Sequence, residues 1–265
     1  MCGRYAASKD PDALVEEFEV DESLVEAPIG ADYNVAPTKP VYLVVQRRPK
    51  DSPADTTDVP RQLRVARWGL VPSWAKDPKI GSRMINARAE SLAQKPAYRR
   101  AFAARRCLLP ADGYYEWYQP AEPTAGQPRT KSGKARKQPF YIHRADGSSL
   151  AMAGLYEWWH DPAKDRDDPD AWLLSTVVVT TAASQALEHI HDRMPVVLAP
   201  EAWAQWLDPS VTDVTVVQPL LSGAGEPDVV AYPVATAVND VRNNGAALVE
   251  PLALDGADED PATLL

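Results

Sequence analysis

The stretch CLLPADGYYEWY, residues 107–118, carries the clearest structural pattern in this chain. Two apolar and aromatic runs flank Asp112-Gly113, a dipeptide typical of turns. The pattern predicts a strand, a bend and a second strand. Glu116 lies among aromatic residues of the second strand, where burial would raise the pKa of its carboxyl group into a range suited to proton transfer. The alternative for Glu116 is an ion pair at a strand end.

Working outward from this stretch, the remaining strand patterns outnumber the helical ones. Strands are predicted at 41–46, 64–71, 140–143, 150–159, 172–181, 195–198 and 229–234. Helices are predicted at 11–20, at 89–106 with an interruption near Pro96, at 183–190 and at 200–207. Strands and helices do not alternate regularly. This favours an α+β fold with mostly antiparallel sheets over a parallel βαβ fold.

The chain shows no linker that would divide it, so we expect one domain over residues 1–254. Residues 119–139 are rich in Pro, Gly, Lys and Arg and are expected to form a mobile basic loop. Residues 255–265 are expected to be a frayed acidic tail. The segments GYYEW at 113–117 and GLYEW at 154–158 resemble each other, but chance among aromatic strands explains this equally well.

The composition is that of a globular protein: 45% of the 265 residues are hydrophobic and 25% are charged. The chain has no apolar run long enough to cross a membrane and no signal-peptide pattern. Its two cysteines, Cys2 and Cys107, make no disulfide framework, and no metal-ligand spacing is present. We therefore expect a cytoplasmic protein without metal or cofactor, in which Cys107 is a buried core thiol.

The net charge of −9 argues at first against a nucleic-acid partner, but the charges are unevenly distributed. Between Lys39 and Cys107, 16 lysines and arginines stand against 5 acidic residues. Such asymmetry can give one basic face on an acidic protein. The alternative is a dispersed set of solvated arginines.

The N-terminal sequence MCGRYAA places Cys2 directly after the initiator methionine. Removal of Met1 would leave an α-amine and a thiol on adjacent carbons. The amine can form an imine with an aldehyde, and the thiol can then close a thiazolidine ring. Such a residue is therefore an aldehyde trap, or an acyl-transfer nucleophile with its own amine as the base. The alternative is a small apolar residue in a strand.

Three other segments contain side chains suited to a reactive site. INARAE at 85–90 contains Asn86, which can orient an amine, and Arg88, which can bind a phosphate. HIHDRMP at 189–195 contains His191, which can exchange a proton near neutral pH, and Arg193. RWGLVPSW at 67–74 contains two tryptophans that could stack on bases. Helix capping and core packing are the structural alternatives.

Taken together, these motifs resemble the SRAP (SOS response-associated peptidase) family over nearly the whole chain and in the family's order. The segments are MCGRYA at the start, YNVAPT at 33–38, RWGLVPSWAKD at 67–77, INARAES at 85–91, CLLPADGYYEW at 107–117, HDRMPVVL at 191–198 and VRNNGAALVEPL at 241–252. The resemblance implies a barrel-like SRAP core of antiparallel sheets with flanking short helices.

The resemblance also implies an abasic-site sensor that binds single-stranded DNA. It assigns the crosslinking nucleophile to Cys2, the orientation of its amine to Asn86, acid–base catalysis to Glu116 and ring opening of the sugar to His191. It assigns phosphate contacts to Arg4, Arg88 and Arg193, and the strand-binding groove and a wedge against duplex to Pro40, Trp68 and Trp74.

In this interpretation the product is a thiazolidine DNA–protein crosslink that shields the lesion during the DNA damage (SOS) response. An imine that fails to close would give lyase activity by β-elimination, and autoproteolysis is a secondary activity. The expected partner is single-stranded DNA containing abasic sites, with single-strand/duplex junctions as a further candidate. We expect a monomer that associates with the nucleoid when it acts on DNA.

Two other functions fit part of the pattern. N-terminal-nucleophile glutamine amidotransferases also begin Met-Cys-Gly, but an apolar strand follows there, whereas Arg4-Tyr5 follows here. A non-enzymatic reader of modified DNA could use the tryptophans alone. Ammonia release from glutamine would favour the first, and binding of undamaged modified DNA that survives Cys2→Ala unchanged would favour the second.

Overall fold

The computed structural model describes residues 2–48, 59–120, 136–222 and 228–252. Met1, most of the loop expected at 119–139 and the tail expected at 255–265 lie outside the described residues. The domain limits therefore remain predictions.

The described residues form strands connected by short helices and turns. The strands are β1 Tyr5–Ala7, β2 Glu22–Ser23, β3 Asp32–Val35, β4 Pro40–Gln46, β5 Arg61–Trp68, β6 Asn86–Arg88, β7 Arg106–Ala111, β8 Gly113–Tyr118, β9 Gln138–Arg144, β10 Leu150–His160, β11 Trp172–Ala182, β12 Arg193–Pro195 and β13 Val229–Pro233. The helices are α1 Pro11–Glu17, α2 Arg99–Ala104, α3 Pro200–Leu207 and α4 Val214–Ser222.

These strands build two sheets. The smaller sheet is antiparallel, in the order β13-β9-β8-β1-β3. The larger has the order β12-β11-β10-β7-β4-β5-β2, with β6 paired to β11. Because β11 pairs both with β10 and, in parallel, with β5, the strands β4, β5, β7, β10 and β11 close into a barrel. The predicted α+β class and barrel-like core are confirmed.

The stretch 107–118 links the two sheets, since β7 belongs to the barrel and β8 to the smaller sheet. At the bend between them, the backbone N–H of Asp112 donates to the carbonyl of Ala6. A Cβ atom on Gly113 would lie 2.5 Å from the ring of Tyr141, so the next strand packs too closely for a larger residue. The bend thereby holds β1, which follows Cys2, beside β8, which carries Glu116.

The core has two main parts. The helices α1 to α4 pack against one face of the barrel strands. Each contributes a buried side chain: Leu14, Phe102, Trp206 and Leu221, in that order. The second part joins the barrel to the smaller sheet and contains Cys2, Tyr5, Trp68 and Tyr114. Cys107 is fully buried, with its Sγ 3.5 Å from Thr176 Oγ1, so the predicted core thiol is confirmed.

Two helix predictions need correction. In 89–106 only Arg99–Ala104 is α-helical, because Pro96 interrupts the segment and Arg106 already begins β7. Residues 183–190 form turns rather than a helix. The backbone N–H of Ala183 donates to the carbonyl of Asp192, which pins the ends of this connection together and leaves room only for turns. The helix α4, with Pro219 inside it, was not predicted.

Candidate functional site

The site forms where the segments carrying Cys2, Asn86 and Glu116 meet. Asn86 begins β6, which lies parallel to β11, and its Nδ2 donates to the carbonyl oxygen of Cys2 at 2.7 Å. Glu116 lies on β8 and is close enough to Cys2 to raise the pKa of the thiol. Sheet pairing thus brings together three residues that are far apart along the chain.

Cys2 is 0% exposed, and burial is the main reason that the pKa of its thiol is raised well above the ordinary value. The backbone N–H of Arg4 donates to the sulfur and opposes this shift. The thiol is therefore neutral at physiological pH. Cys2 is closed to solvent in this form of the chain, in which its nitrogen belongs to a peptide bond with Met1.

Glu116 is 3% exposed, and burial raises the pKa of its carboxyl group. Nearby His191 and the backbone N–H of Trp117 oppose this rise. The predicted desolvation of Glu116 among aromatic residues is confirmed. The result is a carboxyl group that can hold a proton at a higher pH than a solvated one.

His191 lies in the turn between β11 and β12, and its side chain is partly exposed. Its Nδ1 accepts a hydrogen bond from the backbone N–H of Arg193 at 3.0 Å and lies 2.9 Å from a carboxylate oxygen of Asp192. Both contacts are made at Nδ1, so they fix the orientation of the imidazole ring.

Asn86 has an unusual feature at its second polar atom. Among the described residues, its buried Oδ1 has no hydrogen-bond partner. A buried acceptor without a partner costs about 1–3 kcal/mol. Such an atom beside a candidate nucleophile is suited to accept a hydrogen bond from a group that arrives or forms during function.

Arg4 is held at the site by a residue that the sequence reasoning missed. One guanidinium nitrogen of Arg4 donates to Asn34 Oδ1 at 2.7 Å and to the carbonyl of Val238 at 2.9 Å. Asn34 is fully buried and donates to three carbonyls, those of Val238, Asp240 and Asn243. A polar residue inside the strand pattern YNVAP was the available signal. Asn34 fastens the C-terminal segment to the N-terminal one.

The other two candidate phosphate-binding arginines differ in their partners. Arg193 forms a two-point ion pair with Glu90, with nitrogen–oxygen distances of 2.7 and 3.0 Å. Arg88 is exposed, and no carboxylate lies within ion-pair distance of it in the described ranges. Arg88 is thus available to an anion, whereas Arg193 already holds a carboxylate in the geometry that a phosphate would take.

The candidates for the strand-binding groove are not equivalent. Trp74 is 60% exposed and Pro40 is exposed at the start of β4. Trp68 is 0% exposed; its ring packs 5.1 Å from that of Tyr5, and its Nε1 donates to the carbonyl of Ile85. The expectation that Trp68 contacts DNA is corrected, because this ring is a core residue that supports the segments carrying Cys2 and Asn86.

Within the described ranges, no cluster of three or more His, Cys, Asp or Glu side chains could hold a metal ion. The helices in those ranges are all too short or too polar to cross a membrane.

Comparison with solved structures supports the fold. A protein from Bacteroides thetaiotaomicron superposes with a TM-score of 0.71 at 22% identity, covering 95% of this chain and 100% of the other. A phage-related protein from Bordetella bronchiseptica superposes with a TM-score of 0.58 at 28% identity, covering 89% of this chain and 95% of the other.

Comparison of sequences gives named relatives. The chain is 37% identical over 250 residues to the abasic site processing protein YoqW of Bacillus subtilis, covering 94% of this chain and 99% of the relative. It is 32% identical over 257 residues to YedK of Escherichia coli, an abasic site processing protein, covering 95% and 100%. It is 31% identical to the abasic site processing protein HMCES of Xenopus tropicalis, covering 92% of this chain and 76% of the relative.

The sequence profile described as SOS response associated peptidase (SRAP) matches residues 1–241. This match spans Cys2, Asn86, Glu116, His191 and the arginines described above. With the barrel, the order of the motifs and relatives above 30% identity over almost the full chain, it leads to one assignment: the chain belongs to the SRAP family.

Proposed function

We propose that this protein senses abasic sites in single-stranded DNA and captures them covalently through Cys2. One observation carries the proposal: a cysteine that follows the initiator methionine lies within hydrogen-bond contact of Asn86 and electrostatic contact of buried Glu116. Relatives above 30% identity that are named abasic site processing proteins support the same substrate. The open form of an abasic sugar carries an aldehyde, which an amino-thiol traps.

The first chemical step is attack by the α-amine of Cys2 on C1′ of the open sugar after Met1 has been removed. The nitrogen lone pair forms the C–N bond, and the carbonyl oxygen takes a proton. Loss of water from this adduct needs a second proton on the leaving oxygen. Glu116 supplies it, because burial keeps a proton on its carboxyl group at a higher pH than usual.

Asn86 orients the amine in this step. Its Nδ2 already holds the carbonyl oxygen of Cys2, and its buried Oδ1 has no partner among the described residues. An N–H of the newly formed α-amine at this oxygen would supply the absent hydrogen bond. This bond leaves the nitrogen lone pair directed away from Asn86, toward the incoming carbon.

The thiol acts second because burial raises the pKa of Cys2 and disfavours the thiolate. Its sulfur adds to the imine carbon, the electron pair of the C=N bond moves to nitrogen, and the thiol proton is transferred to that nitrogen through Glu116. The product is a five-membered thiazolidine that contains the sulfur, the nitrogen and C1′. A carboxylate beside the sulfur can accept the thiol proton as the ring closes, so this step does not require a free thiolate.

The DNA path follows from the exposed groups around the site. Arg4, Arg88 and Arg193 hold phosphates around the lesion, and His191 assists opening of the sugar ring and stabilises the sugar oxygens. Trp74 and Pro40 are exposed and suited to contact bases or the end of a duplex. Because phosphate contacts dominate this binding, we expect it to weaken with salt.

Further activities of the proposed enzyme are secondary. An imine that does not close can undergo β-elimination at the sugar, which cleaves the strand and constitutes lyase activity. Autoproteolysis is the activity to which the family name points. The proposed protein works as a monomer in the DNA damage response, and its crosslink shields the lesion from nucleases and error-prone synthesis.

The proposal predicts a covalent product between the purified protein and single-stranded DNA that contains one abasic site. The product should appear as a shifted band on a denaturing gel and survive heating. Cys2→Ala should abolish it, and the same oligonucleotide without the abasic site should give none. Ammonia release from glutamine with no shifted band would favour an amidotransferase instead, and a missing band with a confirmed Cys2 N-terminus would contradict the proposal.

The Arg193–Glu90 pair gives a separate prediction about DNA affinity. Because Glu90 occupies Arg193 where a phosphate would bind, Glu90→Gln should free the guanidinium. We expect affinity for single-stranded DNA to rise about threefold to tenfold and the salt dependence to steepen by about 0.7 in log–log slope. Binding is measured by fluorescence anisotropy over a salt series, with a nonreactive abasic analogue in the strand.

The matched control for Glu90 is Glu188→Gln, which removes the same charge from an exposed position in the neighbouring turn. It should raise affinity much less and leave the salt slope unchanged. Weaker binding by Glu90→Gln would mean that Glu90 positions Arg193 for the phosphate. That result would contradict the proposed competition between Glu90 and phosphate for Arg193.

A further inference from the structure

A cleft of about 620 Å³ opens where β5 and β11 separate. These parallel strands pair at Arg67–Ser175 and Trp68–Thr176 and diverge before those positions. The residues that line the cleft include Arg64 to Arg67 of β5, Trp158 of β10 and Trp172 to Leu174 of β11. The chemistry proposed at Cys2 does not use these side chains.

Arg64 and Arg67 line this cleft, and two further arginines lie against its tryptophans. The guanidinium of Arg47 lies 5.5 Å from the ring centre of Trp158, and that of Arg166 lies 6.0 Å from the ring centre of Trp172. Arg64 donates twice to the side-chain oxygen of Gln62. An arginine stacked on an indole keeps its N–H edge free for an anion.

These arginines lack acidic partners in the part of the chain that the structure describes: none of Arg47, Arg64, Arg67 and Arg166 lies within 4.0 Å of a carboxylate oxygen there. Glu26 is the acidic side chain among the described lining residues. The cleft therefore has an excess of positive charge and is complementary to an anion.

The rim of the cleft has a strained backbone. Thr38 lines the cleft and has a φ of 75°, in the left-handed region that a β-branched residue rarely adopts. Its N–H donates to the carbonyl of Trp68 at 2.8 Å, which holds the turn against β5. Strain of this kind is retained where the surrounding structure fixes it, often at binding sites.

The cleft adjoins a residue that supports the segment carrying Cys2. It begins at Arg67, and the next residue, Trp68, packs its ring against Tyr5 in the segment that carries Cys2. Pro40, a candidate for the strand-binding groove, lies on the rim.

We propose that this cleft binds the unpaired nucleotides that flank the abasic site in single-stranded DNA. The bases stack on Trp172 and Trp158, and the phosphates contact Arg64, Arg67 and the stacked arginines. A positively charged groove with aromatic rings is the usual arrangement for binding single strands without sequence preference. An acidic peptide would match the charge but would not use the flat aromatic faces. The proposal rests on the proposed function at Cys2.

The test compares two oligonucleotides that carry the same nonreactive abasic analogue, one of about 5 nucleotides and one of about 20. We expect wild type to bind the longer strand at least 10-fold more tightly. Trp172→Ala and the double variant Arg64→Gln/Arg67→Gln should each reduce binding to the longer strand about 5- to 10-fold and leave the shorter strand unchanged. The double variant should also lower the salt slope by about 1.4.

Arg144→Gln is the control. Arg144 is the last residue of β9, lies outside the cleft and pairs with Asp146. It should leave both affinities unchanged, and thermal unfolding of every variant confirms the fold. Equal binding of both strands by wild type, or variants that bind the longer strand like wild type, would overturn the proposal. So would displacement of the longer strand by poly-glutamate at equal charge, which would assign the cleft to acidic polypeptides.

Crosslinking of the short abasic oligonucleotide is measured in parallel. Absence of that crosslink in wild type would count against the function at Cys2, whereas a normal crosslink without dependence on strand length would count against the cleft alone.

Discussion

A form of this protein whose N-terminus is extended will leave abasic DNA uncrosslinked, and the same molecule will crosslink it once Cys2 is released as the first residue. The reason is chemical: in the extended form the nitrogen of Cys2 is an amide, which does not form an imine. The structure adds a steric reason, because Cys2 is 0% exposed. The expected change is from no detectable product to nearly complete reaction.

The experiment uses a fusion with a protease site placed so that cleavage leaves Cys2 first. Crosslinking is followed on a denaturing gel before and after cleavage, and the new N-terminus is confirmed by mass spectrometry. The control is a cleaved fusion that retains one additional residue before Cys2. A crosslink of equal yield from the extended form would contradict the mechanism.

Cys2→Ser in the released form separates the two chemical steps. Its amine can still form the imine, but the hydroxyl is a weaker nucleophile than sulfur and gives no stable ring. We expect a band that requires borohydride trapping, together with more strand cleavage than wild type. A stable band without borohydride would mean that the sulfur does not form the final bond.

The second large effect is expected for Glu116→Gln, which should slow crosslinking about 100-fold, the lower range for loss of a general acid–base group. Glutamine keeps the shape of the side chain but cannot transfer a proton. Rates are measured with excess protein on the short abasic oligonucleotide. A change of less than threefold would exclude Glu116 as the proton-transfer group.

Glu157 provides a matched control for Glu116→Gln, because it lies in the segment that resembles residues 113–117. Glu157 occupies the same place in GLYEW as Glu116 does in GYYEW and is also buried, but it forms an ion pair with Arg105 at 2.7 Å. Glu157→Gln should leave the crosslinking rate within about twofold of wild type and lower thermal stability, because Arg105 loses its partner. A loss of crosslinking equal to that of Glu116→Gln would show general damage to the fold.

The raised pKa of Glu116 also predicts the sign of its effect on stability. Between the ordinary value and the raised folded value, the folded state binds more protons than the unfolded state, so stability falls as pH rises through that interval. Glutamine does not titrate, so Glu116→Gln removes this pH-dependent loss of stability. Its melting temperature should exceed that of wild type at neutral pH, and the difference should vanish below about pH 4.5. A variant less stable than wild type at neutral pH would contradict this sign.

The strands and helices whose formation depends on the local sequence pattern were predictable. The strands on either side of Asp112-Gly113 and the helix at 200–207 depend on side-chain period and turn chemistry within a few residues. The desolvation of Glu116 followed from its immediate aromatic neighbours in the same strand. The prediction that Cys2 can trap an aldehyde required only the chemistry of one residue beside Met1.

Tertiary structure alone decided which of these residues meet and which tryptophan faces solvent. Asn86 reaches Cys2 because β6 pairs in parallel with β11, and Glu116 does so because β8 pairs with β1. Trp68 is buried and Trp74 is exposed because β5 ends at Trp68, and the next residue, Gly69, has a φ of 123° that turns the chain out of the sheet. The Asn34–Arg4 contact and the Glu90–Arg193 pair join distant segments. Such contacts depend on nonlocal strand pairing, which a local pattern does not encode.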